Sequence, residues 1–169
     1  MNLLELNDSL SEIRQQEESL QWPVFNEALA WELGCTLQLA AALNEAAVHI
    51  EIEAFGRMLF VCAMPGSAPS NADWARRKRN VVQLLQRSSL AIGLGLKRDD
   101  TDLQRKMGLP DRDYAPHGGS FPLRILGSGC IGSITVSGMP EFDDHALIVS
   151  VLQAWQENGW KKPVLTLEE

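Results

Sequence analysis

Residues 47–54 alternate strictly, with Val48, Ile50, Ile52 and Ala54 on one side and His49, Glu51 and Glu53 on the other. Gly56 interrupts the run, and Met58–Met64 resumes it. Successive side chains of a strand point to opposite faces, so this segment reads as a β-hairpin with one buried face. A second such segment spans 121–126 and 130–137, around Gly127-Ser128-Gly129. Two hairpins constrain this chain more than any other feature. Hairpin strands are antiparallel by construction, whereas parallel neighbours need a long crossover between them. The fold class is therefore α/β in the α+β sense: a mainly antiparallel sheet with helices packed on its faces.

The helices lie between the hairpins. Residues 7–20 read as a polar helix capped by Asp8 or Ser9 and closed before Trp22-Pro23. Asn26 caps a second helix over about 27–45, with Phe25, Leu29, Leu33, Leu37 and Ala40 inward and Gly34 mid-helix. A third covers 72–88 behind Ser70 or Asn71, placing Trp74, Val81 and Leu85 towards the core. Residues 90–96 fit a helix or a short strand, since an apolar run with glycines has no decisive period. A short helix at 100–107 is closed by Gly108 and Pro110, and a last helix runs from Asp143 to Trp155. With no repeat or linker, residues 1–169 are expected to form one domain, with 1–21 as an N-terminal helical extension.

The net charge of −7 disfavours general binding to nucleic acid or an anionic membrane, because phosphate neutralisation needs clustered Lys and Arg. Cys35, Cys62 and Cys130 are far apart and odd in number, which fits neither a zinc site nor a disulfide framework. They are expected to be reduced and buried. The N-terminus carries Glu5 and Asp8 rather than a basic region, and no apolar stretch is long enough for a signal peptide or a bilayer span. The expected compartment is the cytoplasm.

Three stretches could carry chemistry. Arg76-Arg77-Lys78-Arg79 follows Trp74; a guanidinium beside that ring could take a carboxylate or phosphate, or the run could be a solvated face paired with acids. In Tyr114–Pro122, Gly118 and Gly119 permit positive φ and an anion nest, with His117 alongside as acid/base or ligand. The alternative is a rigid structural turn. In Ser137–His145, Asp143 reads as a helix cap, Asp144 adjoins it, and His145 lies in the first turn. The acids make this helix start a poor anion site. No spacing supports a metal site from His117, His145 and Asp144, and no metal is assigned. His49, on the polar strand face, reads as a solvated or ion-paired surface histidine.

NADWARRKRN, DYAPHGGSFPL and IGSITVSGMPEFDDHALIV together resemble the haem-degrading-domain family over about residues 22–157. That family includes haem-binding secreted sensor proteins, GlcG-like proteins and an uncharacterised cytosolic branch, to which the match is closest. The resemblance implies a profilin-like fold with a sheet of about five strands, and a homo-oligomer. More weakly, it implies haem or tetrapyrrole binding or degradation. It carries a site over to Asn71, Trp74, Arg77, Lys78, His117, Gly118, Gly119, Ser137, Gly138 and His145, but no haem ligand.

Two functions follow. One is a small-anion-binding protein, catalytic if His117 or His145 acts as acid/base, with haem among its candidate ligands. The other is a non-catalytic assembly or adaptor protein in which the glycine-rich turns are structural.

Overall fold

The computed structural model describes residues 1–164. Its elements run α1 (Leu3–Ser19), α2 (Glu27–Leu43), β1 (His49–Ala54), β2 (Arg57–Ala63), α3 (Pro69–Leu85), α4 (Ser89–Arg98), α5 (Leu103–Met107), β3 (Ser120–Ile125), β4 (Gly129–Ser137) and α6 (Glu141–Glu157). Both hairpins form as expected and join edge to edge in the order β2-β1-β4-β3, antiparallel throughout. The sheet thus has four strands rather than five. What adds to it is a single parallel bridge between Trp22 and Ile125, in which the Trp22 N–H donates to the Arg124 carbonyl and the Leu126 N–H to the Trp22 carbonyl.

The register aligns like with like. Ile50 lies opposite Val136 and Ile52 opposite Ile134, while on the reverse side His49, Glu51 and Glu53 face Ser137, Thr135 and Ser133. Leu33, Leu37 and Ala41 of α2, with Ile148, Leu152 and Trp155 of α6, close the apolar face into the main core. The approach of α2 is tight: a Cβ on Gly34 would lie 2.3 Å from the Phe60 ring. The reverse face is covered too, by α3, and this corrects the expectation of a solvated side. Arg79 pairs with Glu51, and Gln83 donates to Glu53 at 2.5 Å. His49 is 6 % exposed, its Nε2 2.9 Å from Glu51 Oε1; it is paired with a carboxylate, but beneath a helix rather than at the surface.

Helix boundaries shift where several residues offered a cap. Asn2, not Asp8 or Ser9, caps α1 and closes a capping box with Glu5. Asn26 caps α2 as read, its side chain accepting from Leu29 N–H. Pro69 begins α3, and Asn71 contributes from inside it, accepting the Ala68 N–H at 2.7 Å. Residues 90–96 are helical, nucleated by Ser88, whose hydroxyl accepts from Ala91 N–H. Pro140 precedes α6, so Asp143 lies in its first turn and is not the cap. Cys35, Cys62 and Cys130 are free thiols but half-buried rather than buried. Among the described residues, no helix is long and apolar enough to cross a membrane.

Candidate functional site

The four cations of α3 diverge, as residues 100° apart on a helix must. Arg76 bonds Asp73 at 3.0 Å and Asp113 at 3.1 Å. Arg77 donates through Nε to the Asp111 carbonyl at 2.8 Å, and its guanidinium carbon lies 4.4 Å from the centre of the Trp74 ring. Lys78 turns inward, 4 % exposed, and donates to Asp144 Oδ2 at 2.7 Å. Arg79 pairs with Glu51. Three of the four cations are therefore neutralised within the chain, and Arg77 is the one without a carboxylate among the described residues. Trp74 is not in the core. The buried face of α3 is Ala75, Lys78, Val81 and Val82, which leaves Trp74 on its flank, 37 % exposed.

Three distant stretches converge there. Asn71, Trp74 and Lys78 come from α3, and His117 from the loop before β3. Ser137 ends β4, Gly138 and Met139 come from the turn after it, and Glu141 and Asp144 from α6. Together they line a cavity of about 250 Å³. The His117 ring meets the Trp74 edge at 5.5 Å, and its Nδ1 lies 3.4 Å from Glu141 Oε2. Met139 N–H donates to Asp144 Oδ1 at 3.0 Å, so one carboxylate binds both the turn and Lys78. Burial pushes the Asp144 carboxyl above its ordinary range, against the Lys78 ammonium that pulls it down.

The remaining sequence candidates stand outside this lining. The Gly118 N–H, proposed as part of an anion nest, donates to Glu141 Oε2 at 3.1 Å, so the chain's own carboxylate fills that position. Gly118 and Gly119 are required by packing: Cβ atoms would lie 2.0 Å from the Glu141 carbonyl oxygen and 2.4 Å from that of Val136, the latter with φ at +119°. His145 faces α1, where Nε2 lies 2.9 Å from Gln16 Oε1 while Nδ1 is buried without a partner among the described residues. Burial lowers its pKa to about 4. His145 and His117 therefore do not form a joint acid/base pair.

With this geometry in place, the chain can be compared with known proteins. The model of the family described as haem degrading protein HbpS-like matches residues 25–153. The chain belongs to this HbpS-like family. A UPF0303 protein of Azotobacter vinelandii is 49% identical over 154 residues, covering 91% of this chain and 93% of the relative. The crystal structure of the Ybr137w protein superposes with a TM-score of 0.83 at 28% identity, over 94% of this chain and 96% of that one. The crystal structure of a PduOC:heme complex shares the fold, with a TM-score of 0.66 at 14% identity over 77% of this chain and 94% of that one.

The HbpS-like match begins at residue 25, so it contains the whole cavity but not α1. The contact that α1 makes with His145 therefore lies outside the matched segment. Sequence reasoning missed Met139 and Glu141 and treated Asp144 as an adjunct of the helix start. Their one local signal was the spacing of acids just after the Ser137–Pro140 turn.

Proposed function

We propose that this HbpS-like protein binds a small polar ligand in the cavity between α3, the His117 loop and the start of α6. The observation that carries this reading is convergence. Asn71, Trp74, Lys78, His117, Ser137 and Gly138 come from three separated stretches and line one cavity. Arg77 stands outside the cavity lining, stacked on Trp74, and would meet an anionic group of the ligand that projects past that ring; its Nη nitrogens make no hydrogen bond among the described residues. His117 is half-exposed beside the Trp74 edge, available as proton donor or acceptor. The test is an NMR titration with a panel of small carboxylates, reading the Trp74 indole N–H assigned through Trp74→Phe. Joint movement of Trp74 and His117 resonances is expected. A panel that moves neither sinks the reading.

A second reading, haem, is favoured by the family description and by the haem complex of a fold neighbour. The residues fit iron ligation in one respect. A histidine whose Nδ1 faces a carboxylate, with Nε2 unbonded among the described residues, resembles a metal-binding histidine held by its outer partner. They do not enclose a macrocycle, because about 250 Å³ falls below the range of about 300–1,000 Å³ usual for larger ligands. His117 would hold the iron at the cavity mouth and Arg77 would take a propionate. When bound, the group would supply redox chemistry at its iron. A haemin titration should give a saturable Soret shift that His117→Ala removes and His145→Ala leaves intact. A shift insensitive to His117→Ala excludes this reading.

The assembly reading finds support elsewhere. Gly118 and Gly119 serve packing, and Trp31 and Leu39 stand exposed on the solvent face of α2. A homo-oligomer formed through that face would bury them. Free, half-buried cysteines suit a reducing compartment, and the cytoplasm is the proposed location.

A further inference from the structure

A second, larger cavity lies elsewhere, between α1, α4 and α5, with a volume of about 510 Å³. One wall of it is formed by α1, which precedes the HbpS-like match. The cavity has two chemistries. Leu10 of α1, Leu85 at the end of α3, Ile92 and Leu96 of α4 and Leu103 of α5 give it an apolar wall. Arg14, Arg87, Arg98 and Lys106 stand around that wall, with Asp99 as the one carboxylate among the lining residues.

The intramolecular pairing of these cations leaves them able to bind. Arg14 donates through Nε to Glu18 at 2.9 Å, Arg98 through Nε to Asp99 at 2.8 Å, and Arg87 through Nε to Glu17. The Nη nitrogens of all three make no hydrogen bond among the described residues. Each guanidinium is thus held by one edge and keeps its terminal donors for a planar anion. Glu17 and Glu18 lie along the neighbouring cleft rather than in this cavity.

Glycine supplies the independent observation. A helix-interior glycine costs about 1 kcal/mol relative to alanine, so it needs a reason. Gly34 and Gly93 have one: a Cβ would lie 2.3 Å from the Phe60 ring and 2.1 Å from the Pro116 carbonyl oxygen, respectively. Gly95, in the middle of α4, has none in the protein itself. A Cβ there would meet nothing within 4 Å, and Gly95 lines this cavity. Bare backbone facing open space is what close approach of a ligand to a helix requires.

We infer that the α1–α4–α5 cavity binds an amphipathic anion, an acyl chain ending in a carboxylate or phosphate, with the chain laid along Gly95 and the apolar wall and the head held by Arg14, Arg87 and Arg98. This site is separate from the His117 cavity and stands whether or not that one binds a ligand.

The experiment is isothermal titration calorimetry of the full chain at low ionic strength with decanoate and, separately, decyl phosphate. These two arms tell an acyl carboxylate from an acyl phosphate. Saturable binding of at least one is expected. Gly95→Phe fills the cavity and Arg14→Gln/Arg98→Gln removes two head contacts; each should weaken binding about tenfold or more while the protein keeps a cooperative thermal melt. His117→Ala should leave the affinity unchanged, which separates this site from the other. Absence of saturable binding by both probes overturns the inference. So does wild-type affinity in both Gly95→Phe and Arg14→Gln/Arg98→Gln, or equally tight binding of decyltrimethylammonium.

Discussion

Lys78 of α3 donates to Asp144 of α6 at 2.7 Å, and both side chains are withdrawn from solvent, at 5% and 0% exposure. A buried pair of this kind adds little net stability over apolar residues, but losing one partner strands the other charge, at a cost of about 3–5 kcal/mol. Asp144→Asn and Lys78→Met should each lower the unfolding free energy read from urea titration by an amount of that order. Lys78→Met/Asp144→Asn, which keeps an acceptor for the Met139 N–H, should recover part of the loss. Additive losses in the double-mutant cycle would show that the two groups do not act as a pair.

His145 makes stability depend on pH. Its pKa falls from 6.5 to about 4 on folding because burial penalises the imidazolium. The unfolded chain therefore binds the proton more readily. The contribution of neutral His145 is complete above about pH 6.5 and is lost as pH falls through 4, to about 3 kcal/mol in all. Unfolding free energies measured from pH 7 to 4 should decline accordingly. His145→Phe should flatten the part of that decline between 6.5 and 4.

Two helical glycines should respond to alanine with opposite signs. Gly34→Ala places a methyl 2.3 Å from the Phe60 ring and should destabilise by about 1–3 kcal/mol through overpacking. Gly95→Ala meets open space and should gain up to about 1 kcal/mol in helix propensity. Paired thermal melts read the difference directly. A gain at Gly34 would mean that α2 can back away from the sheet.

Glu141 accepts the Gly118 N–H and faces His117, and so occupies the position an incoming anion would use. Glu141→Ala should uncover that position and allow inorganic phosphate to shift the Gly118 amide resonance in a saturable way. The wild-type protein should show no such shift at the same phosphate concentration. Identical titrations would mean that the glycine turn is structural only.

The hairpins, the Asn26 cap and the Gly108 helix end were legible because each rests on chemistry local to a few residues. His49, Glu51 and Glu53 show the limit of that reading. Alternation separates two faces but does not reveal what covers the second, and here Arg79 and Gln83 arrive from a helix some 30 residues on. The cavity was partly legible. Trp74 and His117 stood out by residue type, whereas the Lys78–Asp144 pair spans 66 residues and leaves no pattern in either segment. The Gly118-Gly119 pair misled because anion nests and tight packing both select glycine; only its neighbours, the Glu141 and Val136 carbonyl oxygens, tell the two apart.

The sheet's two covered faces carry opposite chemistries, hydrocarbon against α2 and α6 and carboxylates, imidazole and hydroxyls against α3. In most sheets a misaligned strand exposes some apolar side chains to water. Here a slip of β1 by one residue would push His49, Glu51 and Glu53 into the oily side and leave Arg79 and Gln83 facing isoleucines. The penalty would fall on both sides of the strand at once, so misaligned pairings are strongly disfavoured during assembly. The ion-paired layer beneath α3 thus acts as a proofreading device for the fold, whatever the cavities beside it hold.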